Sequence, residues 1–136
     1  MRDDIVRDYL REQAAQPFAW GSSDCAHFAG GIIERLTGRN PCASYAYDSE
    51  EHARSLIAAA GGLAALVSRE LGEPHEMRTD WKLIESGDVV YATYASSGEV
   101  LGVAFEGRAY YKRPGGLIPT RLDQVLKFWK VECRKY

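Results

Sequence analysis

The chain is poor in the residues that metal and redox chemistry use. Its 136 residues include three cysteines and three histidines. Cys25, Cys42, Cys133, His27, His52 and His75 are scattered, and Cys25-x-His27 is not a zinc-ligand spacing, so no metal and no other cofactor is expected. An odd cysteine count points to free thiols and a reducing compartment. Long apolar runs are also absent. The longest, Ser55 to Val67, is broken by Gly61 and Gly62 and is too short to span a bilayer. The N-terminus, "MRDDIVRDYLREQ", is acidic and amphipathic with no apolar stretch or cleavage site, so no secretory signal is read there and the chain is expected to be cytoplasmic as synthesised. Neither sign of charge dominates, with 17 Lys and Arg against 19 Asp and Glu, a formal net charge of −2. That excludes the electrostatic footprint of a nucleic-acid binder and a polybasic membrane signal. The glycines of "GRNPC" and "RPGGL" match no phosphate-binding pattern and read as turns.

What remains suits one domain over residues 1–136, large enough for one core and too small for two. The first half reads helical. Asp3 or Asp4 is expected to cap a helix that buries Ile5, Val6, Tyr9 and Leu10 and fades by Gln16. A second helix should begin near Asp24 or Cys25, bury Ala26, Ala29, Ile32, Ile33 and Leu36, and stop at Gly38. Asp48 followed by Glu51 resembles a capping box for a third helix through Ala60, and Leu63 to Leu71 forms a fourth. After Trp81 the texture becomes β-rich. "GDVVYATYA", "VLGVAFEG" and "RAYYKR" read as strands, with Glu106-Gly107 as a hairpin turn. "PGGLIP" reads as a break, Leu122 to Lys127 as a helical turn and "FWKVECRKY" as a last strand. Helices followed by strands on short turns define an α+β domain with an antiparallel sheet.

Cys25 stands where a loop of small residues turns into a helix. Unpaired N–H groups and the positive end of the helix dipole favour a thiolate there. A nucleophilic thiol also needs a base and a group to orient that base. His27, two residues on, falls on nearly the opposite helix face, so a local Cys25–His27 couple is not expected. His52 reads as a surface residue and His75 as a solvated residue in a polar connector. The aromatics of the second half, Tyr91, Tyr94, Phe105, Tyr110, Tyr111, Phe128 and Trp129, read as core and cross-strand pairs. Cys42 and Cys133 carry no motif.

The segment "PFAWGSSDCAHFAGGI", followed by "SGDVVY" and a glycine-containing strand, resembles the NlpC-type papain-like cell-wall peptidases. Within that superfamily the layout is similar to small phage and prophage proteins. The residues in order are Phe18, Trp20, Gly21, Asp24, Cys25, Tyr45, Tyr47, Gly87, Asp88, Leu101, Gly102, Gly116, Leu117 and Trp129. The resemblance covers Pro17 to about Val131. It implies a papain-like fold in which N-terminal helices pack on an antiparallel sheet, with Cys25 as the catalytic nucleophile. Trp20, Gly21, Ser23 and Asp24 are the implied substrate-binding residues, and Asp88 is the structural acid of the Gly-Asp turn. It also implies a peptidoglycan peptide as substrate, or a phage tail or assembly protein as partner, with the virion as a further location. Two departures stand out. The family's histidine position falls on Val100, in "VLGV", and the tyrosine before Trp-Gly is Phe18. The resemblance therefore leaves two readings: a cysteine peptidase or amidase acting through Cys25, and a catalytically inactive binding or assembly module that keeps the fold.

Overall fold

A computed structural model describes residues 1–95 and 98–132. Its helices are α1 (Arg2–Ala15), α2 (Cys25–Thr37), α3 (Glu50–Ala60), α4 (Leu63–Leu71) and the single-turn α5 (Met77–Asp80). The strands are β1 (His75–Glu76), β2 (Val89–Tyr94), β3 (Gly98–Phe105), β4 (Arg108–Arg113), β5 (Gly116–Arg121) and β6 (Lys127–Trp129). All pairings are antiparallel, in the order β1-β6-β2-β3-β4-β5. The architecture is the α+β, papain-like arrangement expected from the sequence. No described helix is long and apolar enough to cross a membrane.

The period-2 alternation of the strands splits the core in two. Val89, Tyr91, Leu101, Val103, Phe105 and Trp129 face α1, α2 and α4. Val90, Ala92, Val100, Ala104 and Phe128 lie in a second cluster with Met77 and Val125. α1 is anchored on α2 by the Tyr9 hydroxyl, which donates to the Phe28 carbonyl at 2.7 Å, and by the stacking of the two rings. The buried Lys112 on β4 donates to the carbonyls of Gln13 and Gln16 at the C-terminal end of α1, where the Gln13 carbonyl also accepts the Gln16 N–H.

Asp88 is fully buried and ties three segments together. Its Oδ1 accepts from Arg2 Nη2 at 3.1 Å and the Val131 N–H at 3.0 Å. Its Oδ2 accepts from the Glu85 N–H and from Lys130 Nζ, both at 2.8 Å. A buried carboxylate with two cations and two amides satisfies its lone pairs, as burial of charge requires.

Several boundaries differ from the sequence reading. α1 starts from Met1 without a side-chain cap, so Asp3 and Asp4 lie in its first turn and favour the dipole instead. Ser49, not Asp48, caps α3 by accepting the His52 N–H at 3.1 Å. The reading of "PGGLIP" as a break holds only for its turn, since Gly116 begins β5. Pro119 is tolerated there because β5 is an edge strand. His75 is not in a solvated connector. It pairs through β1 with Phe128, stacks on that ring and bonds Asp80 at 2.9 Å. The last strand ends at Trp129, and the remainder of the expected strand beyond Glu132 lies outside the described residues. The expected "SSGE" turn also falls partly outside them, at residues 96–97.

Candidate functional site

The loop before Cys25 is closed by a two-residue bridge. The Ala19 and Ser23 amides donate to each other's carbonyls at 3.0 and 2.8 Å. Gly21 turns inside it at φ +86°, and a Cβ there would meet the Tyr47 carbonyl oxygen at 2.0 Å, so only glycine fits. Asp24 then caps α2, and Cys25 is the first helical residue.

Asp24 is the organising group of the loop. Its Oδ2 accepts from the Gly21 N–H at 2.9 Å and the Tyr47 hydroxyl at 2.6 Å. Its Oδ1 accepts from the His27 N–H and faces His27 Nδ1, both at 2.9 Å. Burial pushes this carboxyl up, but the bonds from His27, Tyr47 and the two amides outweigh it and hold the pKa down to about 2. His27 moves the other way. Its bond to Asp24, and then the Cys42 thiol beside it, raise the imidazole to about 10 against the opposing effect of burial. Burial first and then Asp24 push the Tyr47 phenol upward.

Cys25 is half-buried and packs against the helix-facing core. Burial pushes its thiol up to about 11, offset only in part by the Leu101 backbone N–H. The helix start that would favour a thiolate is thus outweighed by desolvation. Val100 lies in the second core cluster, whereas Leu101 lies in the one on the side of α2. Strand alternation therefore places Glu99 and Leu101, not residue 100, on the Cys25 side of β3.

A cleft of about 310 Å³ opens beside Cys25, walled by Trp20, Asp24, Tyr47, Ile57 and Glu99. Trp20 is 39% exposed on its rim and meets Phe18 edge to face at 5.1 Å. Glu99 accepts from the Leu63 N–H at 3.2 Å and from the Tyr91 hydroxyl at 2.6 Å, so it caps α4 and closes one wall. Of the sequence-expected binding residues, Trp20 and Asp24 line the cleft. Gly21 shapes the loop beneath it. Ser23 is buried, and its hydroxyl has no hydrogen-bond partner among the described residues. The sequence reading did not single out Tyr47, His27 and Glu99 as parts of this site. The only signals were the i, i+3 spacing of Asp24 and His27 at a helix start and a tyrosine ahead of a capped helix. Among the described residues no cluster of three or more His, Cys, Asp or Glu is arranged to hold a metal ion.

The fold is that of an NlpC/p60 domain. The structure matches the crystal structure of the NlpC/p60 domain of the peptidoglycan hydrolase SagA with a TM-score of 0.57 and 13% identity, over 94% of this chain and 97% of that one. The chain itself belongs to the family DUF6950, a domain of unknown function whose model matches residues 2–131. Comparison with curated proteins gives no match.

Proposed function

We propose that this domain binds a cell-wall-type peptide in the cleft beside Cys25 and does not cleave it through that thiol. The observation that carries the reading is the setting of Cys25. Its sulfur faces the Leu101 backbone, its pKa is raised to about 11, and the nearby imidazole is held by Asp24 instead. A protonated thiol without a base lacks about 10²- to 10⁴-fold of the rate that general base catalysis supplies. The cleft retains what recognition needs: an aromatic rim at Trp20, a carboxylate at Asp24 and apolar flooring from Ile57. The peptidoglycan-hydrolase origin of the structural neighbour supports a peptidoglycan peptide as ligand.

The hydrolase reading keeps one observation in its favour, the place of Cys25 at the first turn of α2. Mixing the protein with purified muropeptides separates the two. Shifts of the Trp20 and Tyr47 resonances with an unchanged muropeptide mass support the binding module. Cleavage that disappears in Cys25→Ala establishes the hydrolase. Neither shift nor cleavage removes both, and turns attention to the assembly role in a phage tail, which pull-down against tail proteins would test.

A further inference from the structure

The core cluster on the sheet face turned away from α2 takes no residue from α1, α2, α3 or α4. That face is edged instead by α5 and by two 3-10 turns, Trp81–Leu83 and Leu122–Gln124. A groove of about 810 Å³ opens among these segments. Met77 and Val125 of the core cluster line it, so its floor is continuous with the interior of the domain. Trp81 and Leu126 line it as well.

Among the described residues six large apolar side chains are exposed, and three of them lie here: Trp81 at 55%, Leu83 at 52% and Leu126 at 49%. Fraying does not account for this exposure. The Leu126 N–H donates to the Tyr91 carbonyl at 2.9 Å, and the Leu126 carbonyl accepts the Met77 N–H at 3.0 Å. The Val125 N–H closes its turn on the Leu122 carbonyl at 3.0 Å. The backbone beneath the groove is fixed while the apolar side chains stay in water. Apolar surface gathered in this way and rimmed by polar groups marks an interaction site.

The rim carries uncompensated positive charge, although the whole chain has a formal charge of −2. Its carboxylates are already engaged. Glu76 accepts from Lys127 Nζ at 2.6 Å, and Asp123 pairs with Arg121 at 2.8 Å. Asp80, outside the lining, meets His75 at 2.9 Å. Arg78 lines the groove, is exposed and has no ion pair among the described residues. Lys82 lies over the Trp81 ring, 5.4 Å from its centroid, and has no carboxylate partner among the described residues.

We propose that this groove docks a segment of a partner protein in which apolar anchor residues are flanked by aspartate or glutamate. The anchors cover Trp81 and Leu126 above the Met77 floor, and the carboxylates meet Arg78 and Lys82. A guanidinium holds a carboxylate through two parallel N–H bonds, which sets register as well as attraction. The concave shape suits a peptide better than a lipid surface, into which the apolar residues would have to project. The groove shares no lining residue with the Cys25 cleft, so ligand binding there and docking here can fail separately.

The test selects binders to the full chain from a random dodecapeptide library and measures the labelled winners by fluorescence anisotropy. The expected winners combine aromatic or aliphatic residues with Asp or Glu. Their affinity should fall about 30-fold in Trp81→Ala, as loss of an aromatic anchor predicts. It should fall about 10-fold in the double variant Arg78→Glu with Lys82→Glu. Ile118→Ala, at an exposed apolar position on β5 outside the groove, should leave it unchanged. If Trp81→Ala fails to fold by circular dichroism, Leu126→Gln takes its place with the same expected loss. No enriched peptide, winners without acidic residues, or winners that bind the folded variants as well as the wild type overturn the proposal. Co-sedimentation with phosphatidylglycerol vesicles that is lost in Trp81→Ala would assign the patch to a membrane surface and overturn it too. A dimer in sedimentation velocity that is lost in Trp81→Ala would overturn it in favour of a second copy of the chain.

Discussion

The imidazole of His27 turns back on the cap of its own helix, with Nδ1 2.9 Å from Asp24 Oδ1. The two groups hold each other in their charged forms, and this fixes a pH dependence of stability. Asp24 falls from 3.8 to about 2 in the folded protein. Its contribution, about 2 kcal/mol, is present above pH 3.8 and is lost as the pH falls through about 2. His27 rises from 6.5 to about 10, so its contribution is complete below pH 6.5 and is lost as the pH rises toward 10. Urea midpoints measured against pH should therefore be highest between about 4 and 6.5. In His27→Gln the alkaline decline should flatten. An alkaline limb identical to that of the wild type would show that the pair does not carry this energy.

The thiol of Cys25 should behave as a poor nucleophile. With its pKa raised from 9.0 to about 11, its thiolate fraction at neutral pH falls about 10²-fold below that of an ordinary thiol. Iodoacetamide labelling mapped to Cys25 should be correspondingly slow at pH 7 and climb until about pH 11. Labelling at pH 7 as fast as a free thiol would mean that the helix start wins over desolvation, and would return Cys25 to the role of nucleophile.

The sequence made α2 and its cap legible because the signals there are local. Asp24 precedes an apolar stripe that ends at Gly38, and the structure starts α2 at Cys25 and closes it at Gly38 with φ +87°. The α+β order was legible for the same reason, from periodicity switching after Trp81. The site was less so, because its contacts join segments distant in the chain. Tyr47 reaches Asp24 across 23 residues, and Glu99 reaches the start of α4 across 36. No spacing rule announces either. β5 was hidden by Pro119, which an edge strand accepts and a central strand would not. The sidedness of β3 is a matter of register. Val100 pairs with Ala92 and shares its face, which is the one away from α2.

Replacing Asp88 should be among the most damaging single changes in the protein. Asp88→Asn keeps the shape but removes the charge that pairs with Arg2 and Lys130 at 3.1 and 2.8 Å. It also places an amide NH₂ where Oδ1 or Oδ2 accepts from amides of Val131 and Glu85. Breaking a buried ion pair from one side costs about 3–5 kcal/mol. Urea unfolding of the variant measures the loss. A cost below about 1 kcal/mol, the range of surface pairs, would mean that this carboxylate is not the clamp its contacts describe.

Gly21→Ala separates backbone strain from steric conflict. A residue with a Cβ at φ +86° costs about 1–2 kcal/mol for the left-handed conformation alone. Here the Cβ would also lie 2.0 Å from the Tyr47 carbonyl oxygen, so the Tyr47 segment must move. That movement pulls the Tyr47 hydroxyl from Asp24, a bond to a charged group worth about 1.5–3 kcal/mol. Gly107→Ala supplies the comparison, since Gly107 has φ +81° and no atom within 4 Å of an added Cβ. Gly21→Ala should therefore be less stable than Gly107→Ala by about 2 kcal/mol. It should also lower the His27 pKa followed by NMR, because the displaced loop loosens the carboxylate that holds the imidazolium. Equal costs for the two substitutions, with an unmoved His27 titration, would show that Tyr47 does not depend on the glycine for its place.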